Sequence, residues 1–264
     1  MISMAYSTMK TIEEKAAAVK HHYQSTPYDH QEIRERIFRT SLTWDVLQQY
    51  DLSEKKIVDI GCSTSYLGRY LQGRCPGWSY LGIDINPRAV AQAREKGLNV
   101  REGNNLNLDL PDNYADLTVS EGVIHHTPDP FRCFGELIRV TKKSGIISLY
   151  VYNRKHLYYY VYKAAAVIRL AYRTAPGRLL VDRLVFPLFH LVYVVPGIRI
   201  YFKNAAEISQ QLSWNIFSDQ ILTPVAHFFT SRQIIEFAEN SGLQLMGKKT
   251  SINAQGLMFL FIKL

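Results

Sequence analysis

From Lys10 to Tyr50, apolar residues Ile33, Ile37, Leu42, Val46 and Leu47 recur near a helical period with charged residues between them, which predicts an N-terminal helical cap over residues 1–50. A polar break, DLSEKK, ends it. The short apolar run Ile57-Val58-Asp59-Ile60 then leads through Gly61-Cys62-Ser63-Thr64-Ser65 into the helical stretch YLGRYLQ, a strand, tight turn and helix in succession. The pattern repeats in Tyr80-Leu81-Gly82-Ile83-Asp84-Ile85, followed by RAVAQAREKG, with Pro87 suited to the first helical turn and Gly97 to the stop. Val100 marks a third strand, residues 115–120 a fourth and residues 146–151 a fifth; Pro130 to Val140 reads as a helix and TKKSG as a turn.

Strands alternating with helices at this spacing predict an α/β fold, a parallel sheet with helices on both faces and ligands beyond the carboxyl ends of the strands. The rhythm stops at Asn153. It resumes near Thr230, where Thr230-Ser231 can cap the helix SRQIIEFAEN, Gly242 ends it, and LQLMGKKT and GLMFLFIKL read as a final antiparallel pair. The expected organisation is therefore a cap (1–50), a core in two pieces (51–152 and 229–264) and an insertion (153–228).

Composition narrows the class. The 264 residues are 47% hydrophobic and 20% charged, which suits a packed core and excludes disorder, a collagen-like chain and a disulfide scaffold. Cys62, Cys75 and Cys133 are odd in number and lack a CxxC, so they read as reduced thiols and no metal site is expected. The opening MISMAYSTMK has no secretory pattern, which predicts a cytoplasmic protein. The most apolar stretch, residues 184–198, contains Pro187, His190 and Pro196 and is shorter than the roughly 20 residues a bilayer span needs, so no transmembrane segment is expected.

Net charge is +8, and its location matters more than its size. Between Val151 and Ala206 nine basic residues face one acid, Asp182, while the rest of the chain is balanced. The same segment is dense in Tyr and Phe. It is expected to form a helical lid, with aromatics turned inward and arginines at the rim, bent into at least two pieces by Pro187 and Pro196. Aromatic content suits an apolar or planar substrate, whereas the basic excess suits an anionic substrate, a nucleic acid or an acidic membrane surface.

Chemistry begins at the turn after the first strand, where Gly61 would let backbone N–H groups approach a ligand. Asp84, ending the second strand about 23 residues after Gly61, suits a carboxylate that holds two ribose hydroxyls; the alternative is a cap for the helix at Pro87, and the pairing with Gly61 favours the ribose. With VDIGCSTSYLGRYL, YLGIDINPRAV and REGNNLNLDLPDNYADLTVSEGVIHHTPDPFRCFGELIRVTKKSGIISLYVYN in this order, the chain resembles the class I S-adenosylmethionine-dependent methyltransferases, and more narrowly the type 11 group that includes quinone-biosynthesis enzymes.

That resemblance implies a Rossmann-like, seven-stranded, mostly parallel sheet in order 3-2-1-4-5-7-6 and S-adenosylmethionine as cofactor, leaving S-adenosylhomocysteine as product. By position it implies that Asp59, Gly61, Cys62 and Ser63 border the methionine part, that Asp84 holds the ribose with Ile85 against the adenine, that Asn104 and Asn105 meet the adenine edge, and that the backbone at Ser120 and Glu121 meets the amino group. Ser63 and Ser65 stand where the family usually has glycines; a positive φ at Ser63 would cost about 1 kcal/mol. His125, His126 and Glu121 are the candidate bases, since methyl transfer needs alignment plus a base where the acceptor must lose a proton. Tyr23, Tyr28, Tyr152, Tyr158, Arg169 and Arg173 are the candidate substrate contacts. The expected acceptor is a small apolar, aromatic or lipid-like molecule, with an anionic group allowed; an RNA methyltransferase and a non-catalytic cofactor-binding scaffold stay open as alternatives.

Overall fold

The computed structural model describes residues 11–25, 37–51, 53–72, 74, 77–194 and 209–264. Among them, seven strands form one sheet in the order β3-β2-β1-β4-β5-β7-β6. β1 (Lys56–Ile60), β2 (Ser79–Asp84), β3 (Val100–Glu102), β4 (Ala115–Glu121) and β5 (Thr141–Tyr152) run parallel. β7 (Gly256–Lys263) inserts antiparallel between β5 and β6 (Leu243–Thr250).

Alternation along β1 explains why the sheet is covered on both faces. Val58 and Ile60 pack on one side with Leu81, Ile83, Phe134, Leu137 and Ile147. Ile57 packs on the other with Leu117, Val119, Leu71 and Val46. Each such fully buried side chain contributes about 1.5–3 kcal/mol.

In the N-terminal part, α1 (Ile12–Ser25) is tied down by Lys20, which pairs with Glu102 of β3 at 2.7 Å. α2 (Leu42–Gln49) is capped by Ser41 and packs under the sheet through Val46 and Leu47. Ile33 of the expected cap and Tyr28 lie outside the described residues. α3 (Tyr66–Leu71) follows β1, and α4 (Pro87–Glu95) follows β2 with Asn86 as its N-cap. The cap at Pro87 is thus Asn86 rather than Asp84. α5 (Pro130–Val140) precedes β5 directly. The turn expected at TKKSG is strand instead: Ser144 takes φ 59° and the β4–β5 register shifts between Ala115 and Leu117, so the extra residues are absorbed as a bulge.

After β5 come α6 (Leu157–Ala164), α7 (Ala166–Ala171) and α8 (Ala175–Leu180). A π-helical turn (Val181–Val185), α9 (Phe186–Phe189) and a second π turn (His190–Val194) continue α8. Pro187 does not break this run, contrary to expectation. Backbone angles stay right-handed helical at Val181, Val185, Phe186 and His190, with Pro187 in the first turn of α9, where its missing N–H costs little after the wider π turn. Pro196 lies outside the described residues. Val181 and Phe217 of α10 (Gln210–Phe217) centre a small core with Ala165 and Ile221. α11 (Ser231–Asn240) begins with a capping box between Thr230 and Gln233 and leads into β6.

Candidate active site

The turn after β1 is left-handed at three positions: Gly61 (φ 74°), Ser63 (φ 51°) and Ser65 (φ 60°). Gly61 is required twice over, because a Cβ there would also run into the methyls of Val123. Gly61 and Cys62 both donate their N–H groups to Ile83 O, and Ser63 N donates to Asp84 Oδ2 at 2.7 Å. These N–H groups therefore point into β2 and form no cradle for a phosphate. The other Asp84 oxygen accepts from Asn86 N at 2.8 Å, which fixes the carboxylate at the carboxyl end of β2.

Ser65 compensates for its strained backbone with a buried network. Tyr80 OH donates to Asp59 Oδ2 at 2.9 Å, and Ser65 Oγ lies 2.6 Å from the same phenol oxygen, so the chain of donors runs from Ser65 through Tyr80 to Asp59. Burial, reinforced by Asp59, holds the Tyr80 phenol well above its usual range and keeps it a donor. Gly68 leaves room for this contact: a Cβ there would meet Ser65 Oγ and the Tyr80 ring.

Beside this turn lies a cavity of about 730 Å³. One part is lined by Asp59, Gly61, Cys62, Ser63, Asp84, Ile85, Asn104 and Asn105, the eight residues expected at a cofactor site other than Ser120. Asn104 Oδ1 accepts from Leu106 N at 3.0 Å, and Asn105 Oδ1 is buried with no protein partner among the described residues. Four carboxylates, of Asp59, Asp84, Glu121 and Asp219, line the cavity; among the described lining residues there is no Lys or Arg. An acidic wall with a diol-sized acceptor and an orphaned amide carbonyl fits a sulfonium-bearing nucleoside, which brings positive charge, hydroxyl donors and an exocyclic amine.

The other part of the cavity gathers side chains from distant elements. His126 Nδ1 faces Val225 O at 2.9 Å; that oxygen can only accept, so Nδ1 carries a proton and Nε2 is left as the ring nitrogen for exchange. Nε2 lies 3.8 Å from Asp219 Oδ1. Tyr23 OH from α1 donates to Asp219 Oδ1 and Tyr152 OH from β5 to Oδ2, each at 3.1 Å. Asp219 is only 7% exposed, so these bonds hold a charge out of water. Glu121 accepts a short hydrogen bond from the Thr43 hydroxyl of α2, which also lies 2.8 Å from Ser148 Oγ.

Several expected residues lie elsewhere. His125 is fully buried beneath Tyr152, ring centroids 3.8 Å apart, and does not line the cavity; burial and the neighbouring His126 hold it well below the usual imidazole range. The three-residue turn Ile124–His126 makes adjacent side chains diverge, so one histidine reaches the cavity and the other the core. Ser120 is buried on the far side of β4 from Val119 and Glu121. Tyr158 is consumed in packing, its OH donating to Gln220 O at 2.8 Å. Arg169 stacks 4.0 Å from the Tyr162 ring centroid and donates to Ile221 O and Tyr162 O, so it braces the helices instead of rimming the site. Arg173 does not line the cavity either.

Asp219 was not anticipated; its one local mark is that between Ser209 and Pro224 it is the one charged residue in a mixed polar and apolar stretch. Gln255, in the β6–β7 loop, and Gln220 also line the cavity; Gln255 Nε2 and Gln220 Oε1 are buried without a protein partner among the described residues.

Residues 58–149 match the family described as "Methyltransferase domain". The chain is 30% identical over 139 residues to a chloroplastic 2-methyl-6-phytyl-1,4-hydroquinone methyltransferase of Oryza sativa subsp. japonica, covering 50% of this chain and 40% of that one. It is 35% identical over 75 residues to a trans-aconitate 2-methyltransferase of Mycobacterium tuberculosis, covering 28% of each. The chain thus spans less than half the length of these relatives. In structure it resembles the magnesium protoporphyrin IX methyltransferase of Synechocystis PCC 6803, solved with bound S-adenosylhomocysteine, with a TM-score of 0.55 at 12% identity over 94% of both chains, a likeness of fold. With its sheet order, its turn after β1 and the match over residues 58–149, the chain carries a class I S-adenosylmethionine-dependent methyltransferase domain.

Proposed function

We propose that the protein methylates a neutral, largely apolar or lipid-like acceptor with a hydrogen-bonding head group, using S-adenosylmethionine. The observation that carries this reading is a single cavity joining the Asp84 end to the His126–Asp219 end. The cofactor, when bound, supplies an electrophilic methyl group. Asp84, Asn104 and Asn105 would hold it, and the acidic wall favours its positive charge. At the other end, His126 Nε2 is placed to take a proton from an acceptor hydroxyl, while Asp219, held by Tyr23 and Tyr152, stabilises the imidazolium that results. Gln255 Nε2 and Gln220 Oε1 offer one donor and one acceptor to the head group, and Leu157, Leu212, Ile216 and Met258 offer apolar wall.

An anionic acceptor or an RNA backbone is disfavoured, because either needs cations at the site and the described lining has none. Incubation with methyl-labelled cofactor and cell extract tests the reading. Label is expected in the organic-soluble fraction. Label in RNA would overturn the acceptor class, and cofactor binding with no label in any fraction would leave the scaffold reading in its place.

A further inference from the structure

Helices after β5 carry an unusual surface. Of fifteen large hydrophobic side chains that are exposed among the described residues, ten fall between Leu157 and Val192. Leu157, Tyr160, Val167 and Leu170 lie on α6 and α7; Leu179, Leu180, Leu184, Leu188, Leu191 and Val192 lie along the run from α8 to the second π turn. Leu180, Leu184, Leu188 and Leu191 repeat at helical spacing and are 52–66% exposed. The inward face is already satisfied, since Val181, Val185, Phe186 and Phe189 pack on Phe217 and Trp214. The leucines therefore form a second apolar stripe, on the side away from the protein. The four leucines of the stripe alone expose on the order of 400 Å², the size of an apolar patch that on a monomer is often an interaction surface.

Charge identifies the occupant. Arg154, Lys155, Lys163, Arg178 and Arg183 are exposed on the same helices and their lead-in, against the single acid Asp182. An apolar stripe flanked by cations fits the interface of an anionic bilayer, where leucines enter the acyl boundary and Lys and Arg meet the head groups. The cavity opens at the same place: Leu157 and Val192 both line it and are each 67% exposed. We infer that the α6–α9 face docks on an anionic lipid bilayer and brings the cavity mouth to the membrane surface. A lipid-like acceptor then enters from the membrane without crossing water. That last step rests on the proposed function; the docking does not.

Vesicle co-sedimentation of the full chain tests it, with phosphatidylcholine alone and with phosphatidylcholine plus phosphatidylglycerol. Binding is expected to the anionic vesicles, weaker binding to the neutral ones, and weakening by roughly tenfold or more in Leu184→Glu/Leu188→Glu. Arg178→Glu/Arg183→Glu should abolish the preference for anionic lipid and leave residual apolar binding. Absence of binding to either vesicle would overturn the proposal, as would double variants that bind like the wild type. Light scattering that shows a dimer dissolved by Leu184→Glu/Leu188→Glu would also overturn it, in favour of a second copy on this face. S-adenosylhomocysteine titration of the same variants reports folding and the cofactor site separately: docking variants that keep cofactor affinity isolate the membrane claim from the methyltransferase reading.

Discussion

Ser65 sits at φ 60° in the turn that forms the cofactor site, and its hydroxyl is fully buried against Tyr80. Replacing Tyr80 with Phe removes a donor from the Asp59 carboxylate, a charge-assisted bond that contributes about 1.5–3 kcal/mol, and deprives the Ser65 hydroxyl of its acceptor at a further cost of about 1 kcal/mol. Tyr80→Phe should therefore lose about 3 kcal/mol. Ser65→Ala loses only the neutral bond and keeps the left-handed strain, costing about 1 kcal/mol. Ser65→Gly loses the same bond but relieves about 1–2 kcal/mol of strain, offset by about 1 kcal/mol of added chain entropy. The expected order of stability is Ser65→Gly near wild type, then Ser65→Ala, then Tyr80→Phe. Because the two residues share one network, Ser65→Ala/Tyr80→Phe should cost about 1 kcal/mol less than the sum of its parts. Urea unfolding followed by tryptophan fluorescence measures all four. A Tyr80→Phe loss under about 1 kcal/mol, or Ser65→Ala more stable than Ser65→Gly, would refute the reasoning.

His126→Gln and Asp219→Asn should each lower turnover about 10²–10⁴-fold while changing S-adenosylhomocysteine affinity little, as single-turnover assays beside calorimetry would show. For Asp219 the scale follows from an ion pair 3.8 Å apart, about 4 kcal/mol at an effective dielectric near 20, or roughly 10³ in rate. His22 and His227 are both lowered to about 4, chiefly by burial, whereas in the unfolded chain they bind protons near pH 6.5. Between those values the unfolded state takes up more protons, so stability should fall as pH is lowered from about 6.5 to about 4, by up to about 3 kcal/mol for each imidazole, and denaturation midpoints across that range check it.

The strands β1 and β2 and the Asp84 position were readable because these are apolar runs closed by Gly61 and Asp84, a local pattern, whereas the order of the seven strands followed only from the family resemblance of the ordered motifs. Asp219 was not readable as part of the site because its partners come from far along the chain: Tyr23 is 196 residues away and Tyr152 is 67. His125 and His126 are indistinguishable as a sequence pair, and only the tight turn at 124–126 sends one to the cavity and the other under Tyr152. The charge excess after β5 was visible, but its direction was not. Arg169 faces Tyr162 and the carbonyl of Ile221, and the exposed cations of these helices, Lys163, Arg178 and Arg183, do not line the cavity but stand among exposed leucines and valines. Pro187 misled for a physical reason: proline penalises the interior of an α-helix, but not the first turn after a π-helical segment.

The central claim is that the cavity beside Gly61 and Asp84 takes the sulfonium nucleoside, and calorimetric titration with S-adenosylhomocysteine tests it most directly. Saturable one-to-one binding is predicted for the wild type. Asp84→Ala removes a charged acceptor from the ribose hydroxyls and releases Ser63 N and Asn86 N, so binding should weaken by about 1–3 kcal/mol, roughly 5- to 150-fold. No saturable heat with the wild type at high micromolar ligand, or an Asp84→Ala variant that binds as tightly as the wild type, would contradict the account.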